Sequence, residues 1–210
     1  SSVVAPGIVN LTTEGTADWA HWGQISASSF DHKASVVQQI STITPIGIAA
    51  ARFVGNPART TATTWSDGTP TASATNSTAG IYSNGIGNGY SFTVPADTTP
   101  RTLRIYLGDW NSKSQVQATL SDGSAPAYTT TLDTGAGDFV SWPVITLTYS
   151  AASSGQTLTV NQTLLNDYGT GGNIGLIAAT LSASSGSSTP PVAVAQSVVD
   201  DINKHGGING

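Results

Sequence analysis

Apolar residues recur at every second position through stretch after stretch of this chain, and that period sets what it can fold into. Tyr90, Phe92 and Val94 alternate with Ser91 and Thr93. Leu103, Ile105 and Leu107 alternate with Arg104 and Tyr106, and Val116, Ala118 and Leu120 with Gln117 and Thr119. Ile145, Leu147 and Tyr149 alternate with Thr146 and Thr148, and a looser version runs through Leu158, Val160, Gln162 and Leu164. Period-two spacing puts one side-chain set on each face of a sheet. Ile174 to Leu181 is apolar at both parities and reads as a central strand. Turn signals separate the runs: Ser66-Asp67-Gly68, Asn84-Gly85, Asn88-Gly89, Ser121-Asp122-Gly123 and Gly171-Gly172. Short strands at this spacing predict an all-β fold, a sandwich or a barrel. Val36 to Ile40 fits a helix or a strand, and its Ser and Thr neighbours favour a strand. A short echo, Trp65-Ser66-Asp67-Gly68 against Leu120-Ser121-Asp122-Gly123, fits a similar corner in each half of the sandwich or a chance match.

The period changes near the C-terminus. Ser182 to Pro191 is a linker by composition, so the sandwich domain is expected over 1–182, a Ser/Gly/Pro linker over 183–191 and a helical tail or the stub of a further domain over 192–210. In the tail Val194, Val198 and Ile202 recur every four residues, with Ala195 and Val199 beside them. Pro191 precedes the run, Gly206 follows it, and Lys204 and His205 suit a helix C-terminus. The expectation is a short amphipathic helix, with a strand as the rival reading for Val192 to Ala195.

Composition narrows the function. Charged residues make up 9% of the 210-residue chain, against about 25% in an average soluble domain. The basic residues are scattered and the net charge is −5, so the basic footprint of a nucleic-acid partner is lacking. No run of 18 apolar residues forms a helical membrane span. Cys is absent, which excludes a disulfide framework and a Cys-based zinc site. The chain opens on Ser1 and contains no Met, which reads as a processed product or an excerpt of a longer one. With low charge and a Ser/Thr surface, this favours an extracellular or cell-surface setting.

Asp18-Trp19-Ala20-His21-Trp22 is the most unusual segment. Three positions separate the two Trp residues, so on a strand they face opposite sides. An exposed ring with His21 and Asp18 beside it could stack on a sugar and bind its hydroxyls. The rival reading is that both rings close one end of the sandwich. Trp110 follows a strand and is flanked by polar residues, which makes it the better surface candidate, whereas Trp65 reads as core and Trp142 as packing beside Pro143. Asp31, His32 and Lys33 read as a solvated loop. Asp67, Asp109, Asp122, Asp133 and Asp138 occupy loop-like positions, compatible with a structural calcium ion but without a contiguous ligand pattern. Three sequons, at Asn10, Asn76 and Asn161, are candidate glycan acceptors. Catalysis has little support: Glu14 is the single glutamate, no carboxylate pair is marked, and neither Gly-x-Ser-x-Gly nor His-Glu-x-x-His occurs.

The run Leu11 to Gly23 (LTTEGTADWAHWG) resembles the opening of a recurrent jelly-roll-like β-sandwich module of secreted bacterial surface proteins, itself similar to carbohydrate-binding modules. Trp65 to Pro70, Asn88 to Phe92, Arg101 to Leu103 and Leu120 to Ser124 match in order, so the resemblance spans residues 8–182. It implies an antiparallel β-sandwich of jelly-roll-like type and an extracellular location. Val198 to Gly210 resembles the first helix and turn of periplasmic amino-acid-binding proteins, whose remaining fold the chain does not contain. Together these readings predict a non-enzymatic binding or adhesion module without cofactor. Its partner would be a polysaccharide or surface glycan, held by Asp18, Trp19, His21, Trp22 and Trp110. The alternative is a self-assembling subunit of an extracellular fibre or surface layer, a homopolymer joined through terminal segments at Val194, Val198 and Ile202.

Overall fold

The computed structural model describes residues 7–137, 140–169 and 171–183. Asp138, nearly all of the linker, and Val194, Val198 and Ile202 with the expected helix lie outside the described residues. The chain order is β1 (Ile8–Asn10), α1 (Leu11–Glu14), β2 (Asp18–Trp22), β3 (Phe30–Lys33), β4 (Thr44–Ile46), β5 (Ala51–Val54), β6 (Ala62–Trp65), β7 (Gly68–Thr69), β8 (Ala74–Ser77) and β9 (Ala79–Asn84). It continues with β10 (Gly89–Ala96), β11 (Arg101–Leu107), β12 (Asp109–Trp110), β13 (Ser112–Leu120), β14 (Tyr128–Asp133), β15 (Val140–Ser141), β16 (Val144–Tyr149), β17 (Gln156–Asp167) and β18 (Asn173–Ala183).

Every period-two run read from the sequence is a strand: β10, β11, β13, β16 and β17 cover them. One sheet has five strands in the order β14-β13-β17-β10-β4. Its inner parity, including Phe92, Val94, Val116, Ala118, Leu158, Val160 and Leu164, is buried, and its outer parity is mostly Thr, Ser, Gln and Asn. The larger sheet is built around β18, which pairs with β11 and β12 along one edge. Its other edge is shared: β9 takes the first half and β2 the second. β16 extends the sheet beyond β11, β5 beyond β9, and β3 and β7 beyond β2. The main core fills the space between the two sheets, with Leu103, Ile105, Leu147, Leu176, Ala179 and Leu181 facing it from the larger sheet.

A third layer covers part of the larger sheet's other face. α1 and a small sheet in the order β1-β6-β8 enclose a second cluster of Leu11, Trp19, Trp65, Tyr106, Ile177 and Ala178. Glu14 pins this layer: its carboxylate accepts hydrogen bonds from Thr180 Oγ1 at 2.6 Å, Arg104 at 3.3 Å and the Tyr106 hydroxyl. This double coverage explains β18, whose two faces both need apolar side chains. Two expectations are corrected. Val36 to Ile40 is an irregular segment, because its ends serve different environments: Val37 is 87% exposed and Ile40 fully buried. Phe30 to Lys33 is the strand β3 and not a solvated loop, since pairing with β2 carries Asp31 into the interior, where it accepts from Thr71 N at 2.7 Å.

Candidate functional site

The Asp18–Trp22 segment is β2, and alternation sends Trp19 and Trp22 to opposite faces as the sequence implies. Both faces are covered, so the expectation of an exposed ring is corrected: Trp19, His21 and Asp18 are 0% exposed and Trp22 is 2%. Trp22 packs on Phe30 and Phe92 in the main core, with centroids 5.9 and 5.4 Å away. Trp19 lies 5.4 Å from Trp65 under the third layer and donates from Nε1 to Asp67 Oδ1 at 2.9 Å. Asp67 also accepts from Thr12 Oγ1 at 2.6 Å and pairs with Lys33 Nζ at 2.8 Å. Partial burial pushes the Asp67 carboxyl up, but the bonds from Lys33, Thr12 and Trp19 outweigh it and hold it below its ordinary value.

Asp18 is a brace for the neighbouring irregular segment. Its carboxylate accepts from Trp19 N at 2.8 Å, Gln39 N at 2.6 Å and Ile40 N at 3.0 Å. His21 lies 4.9 Å from the Trp65 ring, and neither ring nitrogen has a well-formed hydrogen bond. Burial, to which the Arg52 charge adds and which the nearby Ala79 backbone partly offsets, pushes its pKa down to about 3. These four side chains build the fold and offer a ligand no surface. Among the described residues no group of three or more His, Cys, Asp or Glu could hold a metal ion.

Trp110 behaves differently. Its neighbour Asp109 points between the sheets and is fully buried, so alternation turns Trp110 to the outer face of the larger sheet, where it is half-buried. This part of the face borders the third layer: Phe53 and Trp142 pack against the edge of the cluster it encloses while remaining part-exposed. Phe53 from β5, Tyr82 from β9 and Trp142 are also half-buried there. The Phe53 and Trp142 rings lean together, with centroids 6.3 Å apart at 42°. Two strand glycines, Gly80 and Gly175, and Gly108 between β11 and β12 make this possible. A Cβ on Gly108 would fall 2.1 Å from the Trp142 ring, one on Gly80 2.5 Å from the Phe53 ring, and one on Gly175 2.3 Å from the Gly108 carbonyl oxygen. Bare backbone is therefore the floor, and aromatic rings rest on it. Register places Gly175 opposite Tyr82, and Asn173 opposite both Trp110 and Asn84. The rings are thus continued by the amides of Asn84 and Asn173. No ionisable group other than the Tyr82 phenol belongs to this set.

Beneath Trp110 lies a closed polar network. Ser114 Oγ donates to Asp109 Oδ2 at 2.6 Å, and Gln162 Nε2 donates to Asp109 Oδ1 at 2.9 Å. The Tyr90 hydroxyl donates to Gln162 Oε1 and lies 3.1 Å from the Gly175 carbonyl oxygen. Burial pushes the Asp109 pKa up to about 6, against the lowering effect of Ser114, Gln162 and the Gly175 backbone.

No family model matches the chain and no curated protein resembles it in sequence. Solved structures that resemble it include the enzymatically active domain of tailspike protein 4 of bacteriophage CBA120, at 8% identity and a TM-score of 0.41, over 69% of this chain and 20% of that one. Another is the TmCBM61 structure in complex with β-1,4-galactotriose, at 13% identity and a TM-score of 0.39, over 68% of this chain and 87% of that one. A third is the CBM22-1–GH10 modules of Clostridium thermocellum xylanase 10B complexed with xylohexaose, at 10% identity and a TM-score of 0.39, over 67% of this chain and 26% of that one. The chain spans about a fifth of the tailspike domain and about a quarter of the xylanase modules.

Proposed function

We propose that this chain is an extracellular, non-catalytic carbohydrate-binding module that holds a neutral polysaccharide on the part-exposed region of its larger sheet's outer face. The observation that carries this reading is the glycine-floored platform of Phe53, Tyr82, Trp110 and Trp142, flanked by Asn84 and Asn173. Sugar rings present apolar C–H faces and a rim of hydroxyls. Aromatic rings take the faces, amides donate to and accept from the rim, and an uncharged surface suits an uncharged polymer. The carboxylates support the non-catalytic part of the reading. Glu14 is engaged by Tyr106, Thr180 and Arg104, Asp18 by backbone N–H groups, and Asp109 is sealed between the sheets. None lines the platform as an acid–base pair would.

Affinity electrophoresis through a panel of neutral polysaccharides tests the proposal. The chain should be retarded by at least one of them, and Trp110→Ala and Tyr82→Ala should each abolish retardation with an unchanged circular dichroism spectrum. Free migration through every polysaccharide would overturn the binding reading. Release of reducing sugar, lost in Glu14→Gln, would overturn the non-catalytic one.

A further inference from the structure

We propose that the side of the sandwich bounded by β14 and β16 is a pairing edge for a second copy of this chain, joined strand to strand through β16. Both strands are outermost among the described residues: β16 pairs with β11 alone and β14 with β13 alone. β18 lies over β17, β9 over β10 and β12 over β13, so the two sheets stack in parallel order and both free edges fall on one side.

An edge strand presents a row of unpaired N–H and C=O groups, and folded proteins usually blunt it with Pro, charge, irregularity or brevity. The other edges here are blunted. β4 has three residues with Pro45 at its centre, β7 has two residues and is followed by Pro70, and β1 has three. β8 carries Asn76 in the left-handed region at φ 51°. β5 turns Arg52 onto the inner parity, opposite Ile81, where its guanidinium donates to Gly23 O at 2.7 Å and Gln24 O at 2.8 Å. By contrast, β14 and β16 each run six residues in unbroken register without Pro, Gly, Lys or Arg. Their single acidic residue, Asp133, ends β14 and is paired with Lys113 at 3.7 Å. The net charge of −5 opposes self-association, and the uncharged β16 adds no like-charge contact of its own to a ladder between two copies.

Two-fold pairing of β16 must keep Ile145, Leu147 and Tyr149 on the core face of both copies. Only registers centred on a residue satisfy this, because slipping by one position flips every side chain. Centred on Thr146, the ladder sets Thr146 opposite its own copy; centred on Leu147, it sets Thr146 opposite Thr148. Two six-residue strands a side are fewer than the roughly 20–30 residues of a standard interface, so the dimer is concentration-dependent.

The chain has no Cys, so introduced cysteines report this contact alone. Facing residues in an antiparallel ladder lie about 4.5–5.5 Å apart at Cα, within disulfide range. In the full chain, Thr146→Cys alone or an equimolar mixture of Thr146→Cys and Thr148→Cys should give a covalent dimer under mild oxidation. Thr44→Cys on the blunted β4 edge should not. The unmodified chain should show a dimer that grows with concentration in sedimentation velocity, and Thr148→Lys, with an unchanged circular dichroism spectrum, should remove it. A wild-type chain that stays monomeric up to about 1 mM would overturn the proposal. So would cross-linking no greater than that of Thr44→Cys, or a dimer lost on removing residues 184–210 but indifferent to Thr148→Lys.

Discussion

Replacing Asp109 with asparagine should change how the stability of this protein depends on pH, by an amount the structure sets. Burial raises the folded-state pKa of Asp109 from 3.8 to about 6, while in the unfolded chain it ionises near the ordinary value. Between those limits the folded state binds more protons than the unfolded state, so this group's contribution falls as pH rises and is constant above about 6. At 1.36 kcal/mol per pH unit the window amounts to about 3 kcal/mol. The side-chain amide of D109N cannot ionise. It can still donate to Ser114 Oγ and accept from Gln162 Nε2, the two side chains that Asp109 contacts besides the Gly175 backbone. Measured by urea unfolding with Trp fluorescence, D109N should gain about 2 kcal/mol on the wild type between pH 4 and pH 6.5, the part of the window that this range spans, whatever its offset at pH 4. His21 supplies a second check. Its folded pKa of about 3 lies below 6.5, so its contribution is complete above pH 6.5 and is lost as pH falls towards 3, by about 5 kcal/mol in total. Across pH 4–6 the two slopes oppose each other. The wild type should therefore be nearly level there, whereas D109N should lose stability throughout as pH falls. A constant difference between the two proteins from pH 4 to 6.5 would refute the buried-carboxylate reasoning.

Glu14→Ala should cost on the order of 3 kcal/mol in chemical denaturation, because Tyr106 and Thr180 are left as part-buried donors without their acceptor; Glu14→Gln should cost less. Asp18→Ala orphans the N–H groups of Gln39 and Ile40, so hydrogen–deuterium exchange should accelerate across residues 34–43 more than in the rest of the chain. Gly108→Ala places a methyl group into the Trp142 ring, so polysaccharide retardation should vanish and the tryptophan emission maximum should shift, while the main-core strands keep their exchange protection.

Much of the fold was legible because alternation is a local signal. β10, β11, β13, β16 and β17 announce themselves, and the two-sided apolar run at Ile174 to Leu181 marks the strand that ends up paired on both edges. Alternation does not say whether the second face meets water or another layer. Trp19 and His21 sit on such a face, and α1 and the small sheet cover it, so residues spaced like a surface site are core. The part-exposed region of that face was the harder part to read. Phe53, Tyr82, Gly80, Gly108 and Gly175 are spread over more than half the chain and meet only through strand register. Trp110 alone carried a usable signal, a Trp just after a strand among polar neighbours. The irregular Val36–Ile40 segment was misread because its backbone partners come from Asp18, about 20 positions earlier.

The double pairing of β18 has a mechanical consequence. Seven residues of β11 run along one edge of this strand and four of β2 along the other. A pull applied at Ala183 along the strand axis loads both ladders in shear, with many hydrogen bonds sharing the force at once. β1 at the opposite terminus is held to β6 by three residues and can be peeled away bond by bond. Stretched between its ends, the protein should therefore yield first at its N-terminal layer, while the sandwich stays intact until a much larger force is reached.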